Sequence, residues 1–271
     1  MDPLISVIVP YWNAEPWIQR CVRSLARQKG NFQFILVNDG SDDESFKAAM
    51  AAYEEDDHRF VPISYAKRRG VSEARNEGLK AARGDWVTFL DADDEMQSET
   101  YDRFKLMLQE DPKAYIHQAN HLRYYEKTKQ LALRYTNPPG RYDIDNLPIR
   151  YPMVWNKLIY GAVARNVKFV PGLQFGEDEI YVLECLAKCR ADGLEDYIHC
   201  SGEITVIKHF ENKESLSHLY HKDEDALFRQ ANALMTFLQD HKDPEIRKMV
   251  LGVLAEHWGS KMYEKAFCKE G

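Results

Sequence analysis

Asp91, Asp93 and Asp94 stand together in the run DADD, directly after the apolar stretch WVTFL. Carboxylates crowded at one point repel one another unless water or a cation screens them. Aspartates two apart can both turn oxygens toward one hard cation. Mg²⁺ or Mn²⁺ completes such a shell with water and substrate phosphates. A solvated acidic turn is the plainer use of the same residues. A second cluster, Asn38-Asp39-Gly40-Ser41-Asp42, follows another apolar run. Its glycine permits a tight turn, and Asp39 offers an acceptor to an N–H edge such as the imide of uracil; turn chemistry alone also accounts for it. A third cluster, Arg68-Arg69-Gly70 through Ala74-Arg75-Asn76, sets basic groups at a helix start. Side chains and helix dipole both favour phosphate there. Glu177, Asp178 and Glu179 open a later helix, either as general-base candidates or as ordinary first-turn acids. His209 suits contact with a metal, and equally the part of an ordinary strand histidine.

These clusters must be held by regular elements, and the first hundred residues supply them in one repeating rhythm. Leu4–Val9 is β-branched and continuously apolar, as a strand buried on both faces should be, and Pro10 is expected to end it. Pro16 suits a first helical turn, and Ile18, Cys21, Val22 and Leu25 recur at helical spacing to about Gln28. The next strand is Phe34–Val37. Ser41 and Glu44 then read as a capping box for a helix from Asp42 to about Glu54. Phe60–Tyr65 is the third strand, followed by a helix over Ser72–Arg83 with Gly84 in the left-handed position beyond it. Trp86–Leu90 is the fourth strand. Alternating strands and helices predict a mostly parallel sheet flanked by helices, with ligands bound beyond the carboxyl ends of the strands. The polar clusters NDGSDD, KRRG and DADD all fall at such ends.

After Asp111 the rhythm changes. Strands are expected within Tyr115–Tyr142, a loop at the NPPG of 137–140, a helix over about 176–190 and a strand over Glu203–Phe210. Two helices from about Lys222 to Phe267, broken near Asp243–Pro244, complete the chain. This divides it into an α/β half (1–110), a second half of the same domain (111–220) and C-terminal helices (221–271). Apolar residues make up 44% of the 271, enough for a core. The charge balance of 36 basic against 43 acidic residues, net −7, lacks the basic footprint of a nucleic-acid binder. The longest apolar runs reach about half a bilayer span. No basic region precedes the apolar run at the amino terminus, so a cytoplasmic protein is expected. The stripe Ile246, Met249, Val250, Val253, Leu254, His257 and Trp258 suits packing on the sheet. Its lesser use is weak peripheral association with the inner face of a membrane. Five scattered cysteines read as reduced thiols, with Cys185 and Cys189 as neighbours on a helix face.

Together the segments VIVPYWNAEPWIQRCVRSL, ILVNDGSDD, RRGVSEARNEGL, GDWVTFLDADD and GEDEIYV resemble family 2 inverting glycosyltransferases of the GT-A fold. Order and spacing match through residues 1–110. The remainder matches more weakly, through WNKLI near Trp155, GEDE at 176–179 and HFENKESLS from His209. The resemblance implies that Pro10, Tyr11, Asn13 and Glu15 lie beside the nucleotide and that Asp39 holds its base. Arg68, Gly70, Arg75 and Asn76 match the segment flanking ribose and phosphates. Asp91, Ala92 and Asp93 match the D-x-D, with Asp93 the usual direct metal ligand, and Asp178 matches the catalytic base. The final helices lack the Q-x-x-R-W of processive synthases. The resemblance thus implies transfer of one sugar, from a nucleotide-diphosphate donor (UDP favoured) to a carbohydrate or lipid-linked saccharide. Mn²⁺ or Mg²⁺ would serve as cofactor, in polysaccharide or glycolipid biosynthesis.

Rival functions need residues that are missing. A sugar-nucleotide pyrophosphorylase requires a glycine-rich phosphate loop after the first strand, where this chain reads PYWNAEPW without a glycine. Dinucleotide oxidoreductases need G-x-G-x-x-G there, and P-loop enzymes G-x-x-x-x-G-K. A non-catalytic relative that binds nucleotide sugar is the other alternative, and donor hydrolysis separates it from an enzyme.

Overall fold

A computed structural model describes residues 2–134, 138–143, 153–172 and 177–210, together with helical positions 232, 235, 236, 238, 239, 244 and 247. The apolar stripe of 246–258 and the FENKESLS residues beyond Phe210 lie outside the described residues, as does Gly176. The first half alternates β1 (Ile5–Tyr11), α1 (Glu15–Ala26), β2 (Phe32–Asn38), α2 (Ser45–Met50), β3 (Phe60–Ser64), α3 (Val71–Ala81) and β4 (Trp86–Phe89). Then come β5 (Glu95–Met96), α4 (Thr100–Glu110), β6 (Ile116–Tyr125), β7 (Gln130–Arg134) and β8 (Gly140–Tyr142). The described part closes with β9 (Lys157–Tyr160), α5 (Gly161–Ala164), α6 (Glu177–Ala191) and β10 (Ile198–Phe210). The strands form one sheet in the order β3-β2-β1-β4-β9-β6-β10-β5, with β7 on β6 and β8 on β10.

β3, β2, β1 and β4 are mutually parallel, so their carboxyl ends share one edge. β1 is buried throughout because each face has its own cover. Ile5, Val7 and Val9 pack with α1, through Ile18, Val22 and Leu25, and with Phe104 and Met107 of α4. On the opposite face Ile8 packs with Ala74 and Leu79 of α3 and with Tyr181, Val182 and Leu186 of α6. Among the described residues no helix is long and apolar enough to cross a membrane. Cys21, Cys185, Cys189 and Cys200 are buried and not disulfide-bonded.

Four expectations are corrected. Pro10 does not end β1, which pairs with β2 as far as Tyr11↔Asn38. The β4 ladder stops at Ile8↔Phe89, and Leu90 N–H already bonds Ile8 O, so the amide that proline lacks falls where no partner strand remains. Ser41 does not cap α2: it donates to Asn38 Oδ1 and accepts from Asn13 N–H, while Asp43 receives the Ser45 N–H at 3.0 Å. Gly84 is not left-handed; a Cβ there would meet backbone atoms of Trp86, Ser6 and Leu4 at 2.5–2.8 Å. Close approach to β1 is what demands the glycine. β10 begins at Ile198, five residues earlier than its apolar pattern suggests, because bulges between Cys200 and Val206 break the alternation. The short β5, β9 and α5 carry too few residues for any periodicity to announce them.

Candidate active site

The turns after β1, β2, β3 and β4 meet at the sheet edge, and their sequence explains their shape. Asn13, at φ 46°, exchanges hydrogen bonds with Asp42: its Nδ2 donates to Oδ1 at 2.6 Å and its Oδ1 accepts the Asp42 N–H at 3.1 Å. Gly40, at φ 69°, lets the 67–70 loop lie directly on the turn, since a Cβ would strike Lys67 C at 2.4 Å. Asp39 is buried and accepts Arg69 N–H at 2.8 Å on one oxygen and Gly70 N–H at 2.7 Å on the other. The expected base contact is therefore not its visible task. It fastens the basic loop, and each oxygen keeps one lone pair. Arg68 lies with its guanidinium 3.6 Å from the centroid of the exposed Trp12 ring. Glu15 is exposed at the start of α1, and Pro10 and Tyr11 are buried in β1 rather than presented in a loop.

Beyond β4, Asp91, Asp93 and Asp94 bring one carboxylate oxygen each to within 4.8 Å of one another, with Ala92 packed on the core between them. Lys208 of β10 reaches this trio, at 3.0 Å from Asp91 Oδ2 and 2.5 Å from Asp94 Oδ2. Burial works against ionisation of Asp91, but Lys208 and Arg75 outweigh it and hold the group below the usual carboxylate range. Burial pushes Asp93 and Asp94 upward, and neighbouring carboxylates add to the shift. Three hard oxygen donors that resist ionising together are a donor set that a divalent cation would satisfy, so the residues fit one. The described residues hold no other His, Cys, Asp or Glu group that could do so.

His209 stands apart from that set. Its Nδ1 lies 2.8 Å from Glu126 Oε1 and its Nε2 2.6 Å from Glu95 Oε1, so both ring nitrogens are engaged as a bridge between β5 and the end of β6. Its backbone N–H donates to Asp94 Oδ1 at 3.0 Å, which steadies the acidic turn.

Arg75 links the two ends of the site. Expected at the phosphates, it is instead buried under carboxylates: Nη1 donates to Asp178 Oδ1 at 2.7 Å and Glu177 Oε1 at 2.8 Å, and Nη2 lies 3.5 Å from Asp91 Oδ1. Asn76 likewise faces inward, bonding the Phe169 backbone through both amide atoms. Glu177 and Asp178 are adjacent on α6 yet share Arg75, so they do not point apart as helical spacing alone suggests. Burial raises Asp178 to about 7, Arg75 opposing and Glu177 and Asp91 adding to the shift. Its other oxygen accepts Val154 N–H at 3.2 Å.

Lys208 and Glu126 escaped the sequence reading. The available signal was a lysine inside the apolar strand EITVIKHF, which needs an anionic partner if it is buried. Nothing local says which partner.

Glu179 is buried, and one of its oxygens has no hydrogen-bond partner among the described residues. Burial, with Asp178 adding, raises it from 4.5 to about 8. The folded state therefore keeps a proton that the unfolded chain loses above pH 4.5, so this residue's contribution to stability falls as pH climbs from 4.5 to 8. Glu179→Gln should gain on wild type by at least ~1 kcal/mol more at pH 8.5 than at pH 5 in urea denaturation. Turnover should change by less than about threefold. A stability difference that stays flat across this range contradicts the assignment.

The architecture is a parallel α/β half extended by a segment of mixed parallel and antiparallel strands, with acidic and basic clusters at the strand ends. Residues 6–175 match glycosyl transferase family 2, and the chain belongs to that family. It is 43% identical over 104 residues to the uncharacterized glycosyltransferase EpsJ of Bacillus subtilis, a stretch covering 38% of this chain and 30% of EpsJ. The chain thus spans about a third of that relative's length. The structure of S. aureus TarS 1–349 in complex with UDP-GlcNAc aligns with a TM-score of 0.75 at 18% identity, covering 98% of this chain and 76% of that one. The mannosyltransferase PcManGT from Pyrobaculum calidifontis, in complex with GDP-Man and Mn²⁺, aligns with a TM-score of 0.65 at 15% identity, covering 96% and 71%. At these identities the likeness defines the GT-A-type fold.

Proposed function

We propose that the chain is an inverting glycosyltransferase. It moves one sugar from a UDP-sugar to a hydroxyl of a carbohydrate or lipid-linked saccharide, in the assembly of a polysaccharide or glycolipid. The observation that carries this reading is Arg75, whose single guanidinium touches both Asp91 of the cation-fitting trio and the carboxylate Asp178. Inverting transfer needs those two elements together: negative charge must be managed where diphosphate departs, and a base must face the incoming hydroxyl. Asp178 takes the acceptor proton as the hydroxyl oxygen bonds to the anomeric carbon and the bond to diphosphate breaks. A base near neutrality is matched to that task. Arg75 holds the carboxylate in place and favours its ionised form. Asp93 and Asp91 would hold Mn²⁺ or Mg²⁺, which would neutralise the charge gathering on the leaving diphosphate. Lys208 adds a fixed positive charge at the same place. Arg68, exposed above the 67–70 loop, is placed to meet donor phosphates, and Trp12 beside it offers a flat apolar surface to the base. The reaction belongs in the cytoplasm, at the inner face of the membrane where the acceptor is lipid-linked.

The nucleotide follows from Asp39, whose spare lone pairs suit a ring N–H, which adenine, with an acceptor at ring N1, does not present. Uracil N3–H and guanine N1–H both qualify. The TarS neighbour, solved with UDP-GlcNAc and covering more of this chain than the GDP-Man complex, favours uracil. Calorimetry with UDP, GDP and ADP in the presence of Mn²⁺ should show UDP binding at least ~10-fold more tightly than ADP, and more tightly than GDP. A screen of UDP-sugars, beginning with UDP-N-acetylglucosamine, then identifies the donor by UDP release. Preference for a purine diphosphate would overturn the assignment of the base, and absence of UDP release from every sugar would favour a binding relative without activity.

A further inference from the structure

The Trp155-Asn156-Lys157 stretch has no part in the reaction described above, yet all three side chains are buried. Burying an ammonium costs several kcal/mol unless it is hydrogen-bonded, so a lysine kept there needs a task. Lys157 Nζ donates to Met153 O at 2.7 Å and to Asn156 Oδ1 at 3.2 Å. The N–H on the other side of that same Met153–Val154 peptide group donates to Asp178 Oδ2 at 3.2 Å. A peptide group is planar, so fixing its carbonyl also fixes the direction of its N–H. An ammonium on the carbonyl further polarises the group and strengthens the N–H as a donor.

We propose that Lys157 is the positioning residue of the catalytic base, acting on Asp178 through the Met153–Val154 peptide group. The rest of the stretch makes that peptide group rigid. Lys157 N–H bonds Val154 O at 3.0 Å and closes the turn. Asn156 is tied to β6 in both directions, its O accepting Ala119 N–H at 2.8 Å and its Nδ2 donating to Ala119 O at 3.3 Å. The Trp155 ring packs edge-on against His121 and lies 4.6 Å beneath the Lys208 ammonium. One turn thus touches the base on one side and the lysine of the acidic trio on the other. Lys157 itself is lowered to about 8 by burial, with Asp178 and Cys200 acting the other way, so it is largely charged at neutral pH.

The proposal rests on Asp178 being the base, and the experiment separates the two. Among the described residues, the titratable groups facing Asp178 are Arg75 from α3, Glu177 and Glu179 on α6, Asp91 after β4 and Lys157 from β9. Removing Lys157 takes away one attraction and loosens the Val154 N–H, so the carboxylate becomes harder to ionise. With the UDP-sugar turned over fastest in the screen, Lys157→Met should lower kcat at pH 7 by about 10-fold. The rising limb of the pH profile should move up by about half a unit or more, and affinity for UDP with Mn²⁺ should stay within about twofold. In an Asp178→Asn background the same change should add less than about twofold. Where Lys157→Met fails to fold, Lys157→Gln keeps an N–H for the Met153 carbonyl without the charge and should show the same limb shift. Wild-type kcat and pH profile in a folded Lys157 variant, with Asp178→Asn inactive, overturn the positioning role and leave the base standing. Equal losses in both backgrounds, with weakened UDP binding, overturn it in favour of a purely structural lysine. An active Asp178→Asn enzyme overturns the base itself, and the positioning role with it.

Discussion

Asp178→Asn should lower turnover by ~10²-fold or more while UDP affinity changes by less than about threefold. The amide keeps the shape of the side chain and can still accept from Arg75 Nη1, now 2.7 Å from Oδ1, but it cannot take a proton from the acceptor hydroxyl. In wild type the ionised base is the active form. Because burial raises Asp178 to about 7, kcat should climb with pH through neutrality and level off above it, and the variant should lose that limb. Glu177→Gln should cost less in turnover, but it is not innocuous, since Glu177 shares Arg75 at 2.8 Å and its loss disturbs the same guanidinium. Product analysis by NMR completes the test. A sugar released with the donor's own anomeric configuration rules out single displacement, and near-normal turnover in Asp178→Asn moves the base to a neighbour.

Asp93→Ala should abolish transfer and erase the dependence of UDP binding on Mn²⁺, with the fold intact. The three acidic residues of the trio are not equivalent. Asp94 is buried against Lys208, and Asp91 is held between Lys208 and Arg75, so removing either one leaves a buried cation short of a partner. Asp93 is only half-buried, and burial together with Asp91 disfavours its charge by more than Lys208 and Arg20 favour it. Its loss relieves repulsion instead of breaking an ion pair, so thermal stability without metal should hold or rise slightly. That contrast makes Asp93 the informative substitution. Titration of UDP with and without Mn²⁺ decides the matter: equal affinity under both conditions, in wild type and variant alike, would mean that the trio binds no functional cation.

Local pattern was enough for β1 to β4 and the helices between them, though not for β5 and α4. Continuous apolar runs marked β1, β2 and β4, helical spacing marked α1 and α6, and polar turns fell at the strand ends because a doubly covered sheet leaves only its ends open. The clusters at Asp39, Arg68 and Asp91 were visible for the same reason. Their partners were not. Arg75 read as a phosphate contact because a basic residue near a helix start prefers anions, but the anions it meets belong to the chain itself, 103 residues on at Asp178. Lys208 lies 117 residues from Asp91 and reaches it only because β10 is placed alongside β6 and β5 at the far side of the sheet. His209 resembled a ligand until the end of β6 and the short β5 put a carboxylate against each ring nitrogen. Periodicity records whether a residue faces core or water. Which charge answers which across the sheet depends on strand order, and strand order is settled by the packing of the whole chain.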